Sequence, residues 1–245
     1  MRKARFYYLL RRGLLTGAAS FITEGLVMAS KFITQGLSSP AQGSAEFNGS
    51  SDYVKVEPLP MTTFDDFTYS AWVNFDTLSY QNIFGFGNTS NATPVSLIEL
   101  QSSGKINFFH RNDSAQYGAA LSIDTISTNR WYFVTGTKEG TSFKLYIDGS
   151  ISNTGAGSVT QPTLNTFNIG RLERTSNTNY VNGNLANVAI WNRALTSDEI
   201  NSVMWKPYQA LSSTETSGLQ AWYSLDNIDG STVPDSTGNH NGTAN

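Results

Sequence analysis

Residues 129–149, N-R-W-Y-F-V-T-G-T-K-E-G-T-S-F-K-L-Y-I-D-G, read as two strands and the turn that leads into a third. Trp131 to Lys138 is dominated by aromatic and β-branched residues, which pack well on a pleated, half-buried surface. After the turn-forming Glu139-Gly140, Phe143, Leu145 and Ile147 alternate with Lys144, Tyr146 and Asp148, so one face is apolar and the other meets water or a second layer. Asp148-Gly149 is a pair favoured in type I′ turns, whose two central residues both need positive φ. Such a meander buries too little apolar surface to stand alone, so the rest of the chain must supply a second sheet.

Working outward, the same signals recur on both sides. Phe67–Phe75 alternates cleanly, with Phe67, Tyr69, Ala71, Val73 and Phe75 on one face and Trp72 on the other. Glu46–Gly49 and Tyr53–Val56 read as short strands around the turn Gly49-Ser50-Ser51-Asp52, and Pro58 and Pro60 then break the pairing. Further strands are expected at 83–86, 96–100, 105–110, 121–123, 165–171 and 185–191, and Gly155-Ala156-Gly157-Ser158 reads as a hairpin loop. One helix is expected from Thr196 to about Met204, where Thr196 and Glu199 form a capping box; it suits closing a sheet edge. Gly218–Leu225 returns to strand character, and Asp235–Gly242 is a turn-rich loop.

With 245 residues, 14% charged and 12% aromatic, the chain suits one large all-β domain plus an appendage. The absence of cysteine excludes disulfides, thiolate chemistry and cysteine-based zinc sites. His110 and His240 lie far apart in sequence, which argues against histidine-rich metal sites and a serine-hydrolase triad.

The first forty-odd residues differ in kind. Arg2, Lys3, Arg5, Arg11, Arg12 and Lys31 face only Glu24, whereas the body of the chain is acidic. A basic arm suits an anionic membrane, nucleic acid or an acidic protein, but equally a solubilising tail, and no specific nucleic-acid site is expected. Glu24 and several glycines spoil a transmembrane span. Arg11-Arg12-Gly13-Leu14-Leu15 resembles a twin-arginine leader. Against a leader stands an internal repeat: Phe21-Ile22-Thr23-Glu24-Gly25-Leu26 recurs as Phe32-Ile33-Thr34-Gln35-Gly36-Leu37. Two equivalent docking segments would repeat in this way, which makes Phe21, Leu26, Phe32 and Leu37, with Arg11 and Arg12, candidate anchors of an arm over residues 1–44.

The motifs F-N-G-S-S-D-Y-V (47–54), F-T-Y-S-A-W-V (67–73), R-W-Y-F-V (130–134), L-Y-I-D-G (145–149) and N-G-N-L-A-N-V-A-I-W-N-R-A-L-T-S-D-E-I (182–200) resemble the laminin-G-like members of the concanavalin A-like lectin/glucanase superfamily. The resemblance implies a two-sheet antiparallel jelly-roll sandwich over residues 45–245. One segment departs from the pattern. G-L-x-A-x-W-x-L-D followed by D-S-x-G-N-x-N-G usually opens such a domain, whereas here it closes the chain at 218–242. Either the domain is circularly permuted or the segment begins a truncated second repeat. Permutation is preferred, because a truncated repeat leaves Leu219, Ala221, Trp222 and Leu225 without a core.

Glucanases of this superfamily carry paired carboxylates on one strand, since retaining hydrolysis needs an acid and a nucleophile about 5 Å apart. Glu99 stands alone in Ile98-Glu99-Leu100, so a non-enzymatic protein is expected. Laminin-G-like domains often bind calcium at the sandwich rim, and the resemblance implies Asn48 with Asp52, or Asp235 with Asn239, as ligand or calcium loops; no other cofactor is expected. The alternative is that these residues hold their own turns. A short arm with a lone domain of this kind resembles phage virion components, such as head-decoration or tail-fibre proteins. The expectation is therefore a homo-oligomeric virion surface protein that contacts other virion proteins through its arm and surface glycans through its sandwich. The alternative is a secreted or cell-surface bacterial carbohydrate-binding protein.

Overall fold

The computed structural model describes residues 43–245. Phe21, Leu26, Phe32, Leu37, Arg11 and Arg12, and with them the leader motif, lie outside the described residues. In chain order the strands are β1 (Ala45–Asn48), β2 (Val54–Val56), β3 (Phe67–Phe75), β4 (Gln81–Gly87), β5 (Val95–Leu100), β6 (Ile106–Arg111) and β7 (Tyr117–Leu121). The meander comes next as β8 (Trp131–Glu139), β9 (Ser142–Ile147) and β10 (Ser150–Ala156), then β11 (Thr166–Ile169), β12 (Leu172–Glu173), β13 (Asn177–Thr178) and β14 (Asn182–Trp191). Helices α1 (Ser197–Val203) and α2 (Ser213–Thr216) precede β15 (Leu219–Tyr223), β16 (Thr232–Val233) and β17 (Gly242–Ala244).

Two antiparallel sheets form the sandwich. One has seven strands, ordered β1-β14-β3-β8-β9-β10 with β15 also on β14, and the other has eight, ordered β16-β17-β2-β11-β4-β5-β6-β7. The meander is as its sequence requires: Asp148 and Gly149 at the β9–β10 turn have φ of 52° and 79°. The alternating face of β3 supplies the core. Phe67 and Tyr69 meet Phe108, Phe84 and Phe86 of the opposite sheet at ring separations of 5.5–6.0 Å. Each such aromatic pair contributes about 0.5–1.5 kcal/mol beyond the area it buries.

Trp72, on the other face of β3, is also fully buried. Its indole N–H donates to the Met204 carbonyl at 3.1 Å, and its ring packs on Phe133 and Trp205. α1 therefore covers the outer face of the central strands β3 and β8 and does not close an edge. The expected capping box is present, with the Thr196 hydroxyl accepting from the Glu199 N–H and the Glu199 carboxylate accepting from the Thr196 N–H. Arg193 holds the same carboxylate at 2.7 Å.

Three local expectations are corrected. β1 and β2 do not pair with each other; the turn between them carries the chain from one sheet to the other. The strand expected at 121–123 lies earlier, at Tyr117–Leu121. Gly155 and Ala156 belong to β10, paired with Phe143 and Ser142 of β9. A Cβ on Gly155 would stand 1.7 Å from the Ala119 carbonyl oxygen, and one on Gly157 2.3 Å from that of Tyr117. Glycine here lets the β10 and β7 edges of the two sheets touch.

The C-terminal segment completes this same sandwich in cis. β15 pairs with β14 through Tyr223↔Val188 to Leu219↔Trp191, while β1 pairs with the other half of β14, Leu185 to Asn182. Between the two halves β14 bulges at Asn187, whose φ is 48°, and its N–H reaches the Ser224 carbonyl at 3.2 Å. β17 joins β2 in the opposite sheet. A truncated second repeat is thereby excluded, and Ala221, Trp222 and Leu225 are buried.

Candidate functional site

The outer face of the eight-stranded sheet carries the candidate site. Period-two alternation turns Ser96, Ile98 and Leu100 of β5 and Ile106 and Phe108 of β6 inward, leaving Val95, Leu97 and Glu99 beside Asn107, Phe109 and Arg111 on the outside. Antiparallel register sets these in rows: Asn82–Glu99–Asn107, Leu97–Phe109–Ala119 and Val95–Arg111–Tyr117. The β12–β13 hairpin rises beside them, so that Leu172 joins Val95, Leu97 and Phe109 in a small apolar cluster. The result is a hollow of about 260 Å³, lined also by Tyr80, Arg174 and Asn179.

Glu99 lies at one end and is only 5% exposed. Its Oε1 accepts from the Asn107 amide at 2.9 Å, and its Oε2 accepts from the Asn82 amide at 3.3 Å and from the Tyr80 hydroxyl. Burial, followed by the bond to Glu99 and that carboxylate's charge, pushes the Tyr80 hydroxyl well above its ordinary pKa. It stays a proton donor at any physiological pH. At the other end Arg111 donates to the Thr93 and Ala92 carbonyls, and Arg174 also donates to Ala92. Burial, then the charge of Arg174, lowers the Arg111 pKa. Phe109 and Tyr117 stack at 5.7 Å, with Tyr117 62% exposed, and Arg111 lies over the Phe109 ring. Acceptor, donors and aromatic faces thus converge on one open surface.

The loops named from the resemblance are built differently. Asn48 and Asp52 satisfy each other: the Asp52 carboxylate accepts from the Asn48 N–H and side-chain amide, and the Asn48 side-chain oxygen Oδ1 accepts from the N–H groups of Ser50, Ser51 and Asp52. Asp235 is buried, and its two oxygens accept from the N–H groups of Trp222, Thr237, Asn239 and His240 and from the Thr237 hydroxyl. Asn239 enters that network through its backbone. Donors point at each carboxylate where a cation would have to sit, so these residues do not fit a calcium ion as they stand; they hold turns. Among the described residues no group of three or more His, Cys, Asp or Glu side chains could hold a metal. No described helix is long and apolar enough to cross a membrane.

Of the outer-face residues, sequence reasoning singled out only Glu99, and as a lone carboxylate. The signal for the others was the alternation in β5 and β6, whose outward positions mix charge, amide and aromatic ring. A second cleft, of about 550 Å³, opens on the seven-stranded sheet between Asn187, Tyr208, Trp222 and Asp226.

Residues 48–201 match the model of a family described as the concanavalin A-like lectin/glucanases superfamily, in line with the laminin-G-like motifs. Comparison with curated proteins finds no match. Among solved structures the chain is similar to a Bacteroides ovatus protein provisionally assigned to carbohydrate binding, with 22% identity and a TM-score of 0.60 over 82% of this chain; it spans 57% of that protein's length. It is also similar to the CBM40 domain of a Ruminococcus gnavus IT-sialidase bound to α2,3-sialyllactose (14% identity, TM-score 0.54, 66% of this chain and 97% of that one). A third is a heptameric SAP-like pentraxin from Limulus polyphemus (16%, 0.53, 69% and 84%). At these identities the likeness establishes a shared fold.

Proposed function

The chain belongs to the concanavalin A-like lectin/glucanases superfamily, and on that premise we propose that its sandwich is a non-catalytic glycan-binding module working through the outer face of the eight-stranded sheet. The observation that carries this reading is Glu99, held by Tyr80, Asn82 and Asn107 at the end of an open hollow beside the Phe109–Tyr117 pair. A carboxylate fixed in this way accepts from sugar hydroxyls, and an exposed ring face takes the apolar side of a pyranose. Glycoside hydrolysis requires two carboxylates across the scissile bond. Among the described residues Glu99 is the single carboxylate lining the hollow. The carbohydrate-binding descriptions of the Bacteroides and Ruminococcus structures agree with the reading.

Screening the protein against a broad glycan panel is expected to give binding without release of new reducing ends. Glu99→Gln and Tyr117→Ala should each weaken the best ligand about tenfold, equivalent to about 1.4 kcal/mol. Turnover, or retention of no glycan at all, would sink the proposal.

We also propose that the module is displayed on a virion or similar assembly through residues 1–44, a reading supported by the repeated F-I-T-x-G-L motif. Intact mass of the particle-borne protein is expected to retain the whole arm. A mature chain that has lost residues 1–40 would instead favour the secreted reading with its twin-arginine-like leader.

A further inference from the structure

We infer that the glycan taken by this face is acidic, its negative group seated between Arg111 and Arg174; this rests on the glycan-binding reading and sharpens it. Both guanidinium groups donate to a single oxygen, the Ala92 carbonyl, at 3.3 and 2.9 Å. Their bonding nitrogens therefore lie within about 6 Å of one another, close enough for strong like-charge repulsion at a partly buried site. Neither has a carboxylate at ion-pair distance among the described residues. Each is instead oriented by backbone carbonyls, which bring no countercharge. The Arg174 Nε is buried and has no hydrogen-bond partner.

Arginines with a structural role in this chain are treated otherwise. Arg171 pairs with Glu173 at 3.3 Å and lies on the Tyr53 ring, and Arg193 pairs with Glu199 at 2.7 Å. Among the described residues Arg111 and Arg174 are thus the exception: two forks converging on one rim without an anion. A guanidinium fork matches the planar oxygens of a carboxylate and the tetrahedral oxygens of a sulfate ester, and an anion shared by two forks removes their repulsion.

Glu99 does not serve as that anion. It lies on a different row of the sheet, with the Leu97–Phe109 row between, and is already bonded by Tyr80, Asn82 and Asn107. From the Asn107 row to the Arg111 row is four residues along β6, or about 13 Å. The hollow therefore has an acceptor end for hydroxyls and a cationic end for the acidic group, and one oligosaccharide spans both.

The test is calorimetric titration of the full chain with matched oligosaccharides: a neutral parent, the same parent bearing a carboxylated sugar, and the same parent bearing a sulfate ester. At least one acidic form is expected to bind tenfold or more tighter than the parent, with an affinity that falls as salt is raised. Arg111→Gln/Arg174→Gln should abolish that preference, so that acidic and neutral forms bind the variant with the same affinity. The salt dependence of the unaltered protein tests the idea even if the double variant folds poorly. Equal affinity for neutral and acidic forms would overturn the inference and leave glycan binding standing. Binding of none of the three, nor of any glycan in the wider panel, would overturn both.

Discussion

Taking the protein from pH 6.5 to pH 3 is expected to remove roughly 4 kcal/mol of stability through His110 alone, at up to about 1.4 kcal/mol per pH unit. The ring is fully buried, packed among Phe64, Phe67 and Phe143 at 5.2–6.4 Å, and neither nitrogen has a hydrogen-bond partner among the described groups. Burial, and then the charge of Lys138, lowers its pKa to about 3. An unfolded chain takes up this proton near pH 6.5. Between the two values the unfolded state binds more protons, so stability is full above about pH 6.5, falls with falling pH, and is lost as pH drops through 3. Carboxylates also titrate in the lower part of this window, so the measurement is a comparison. Urea unfolding of the parent and of His110→Leu at pH 7, 5 and 4 should show the variant at least as stable at pH 7, because two unpaired polar atoms leave the core. Its lead should then widen by more than about 1 kcal/mol per unit below pH 6. Parallel pH profiles would refute the assignment.

His110 also marks what one sequence can and cannot say. As a letter in Ile106–Arg111 it alternates correctly with the core residues Ile106 and Phe108, yet nothing in the sequence shows that its surroundings are three phenyl rings. The meander, the long alternating β3 and the Thr196–Glu199 box were legible because each is local: a period, a D-G turn, a capping pair four residues long. A second box of the same form, Ser212 with Glu215, starts α2 and was equally available. Two strands were misplaced or cut short, β7 expected a few residues late and the end of β10 read as a loop, because their residues carry weak β signals. β7 is Y-G-A-A-L and β10 is S-I-S-N-T-G-A, whose small residues are required by the close approach of the two sheet edges.

The candidate site was harder to see for a different reason. Glu99 and Asn107 are eight residues apart, but Tyr80 and Arg174 arrive from separate segments, and only the register of three strands and a short hairpin brings them together. Asn48, Asp52 and Asp235 have the residue types of a calcium loop. What they do depends on where the neighbouring N–H groups point: those of the first loop are shared between the Asn48 side-chain oxygen and the Asp52 carboxylate, and those of the second converge on Asp235.

Deleting residues 218–245 is expected to abolish the folded state. The segment buries Trp222, Tyr223, Leu225 and Val233, all at 3% exposure or less. At about 1.5–3 kcal/mol for each large side chain, their loss approaches the whole stability of an ordinary domain, about 5–15 kcal/mol. It also strips a partner strand from β14 in one sheet and from β2 in the other, and open edges of that kind aggregate. The more discriminating experiment moves the segment instead of removing it. If β15–β17 occupy the place of the opening strands in a permuted domain, a chain ordered 1–44, 218–245, linker, 45–217 should fold to the same structure. The geometry permits this: the last residue, Asn245, exchanges backbone hydrogen bonds with Tyr53, a few residues beyond β1. A flexible linker of about ten residues, spanning roughly 17 Å, joins Asn245 to Ala45. The reordered chain is expected to match the parent in near-ultraviolet circular dichroism and to unfold cooperatively within about 2 kcal/mol of it, the difference reflecting linker entropy. The deleted chain should be recovered only as aggregate. A soluble, cooperative deletion variant, or a reordered chain that collapses while the parent folds, would show that the segment is not an interchangeable part of the sandwich.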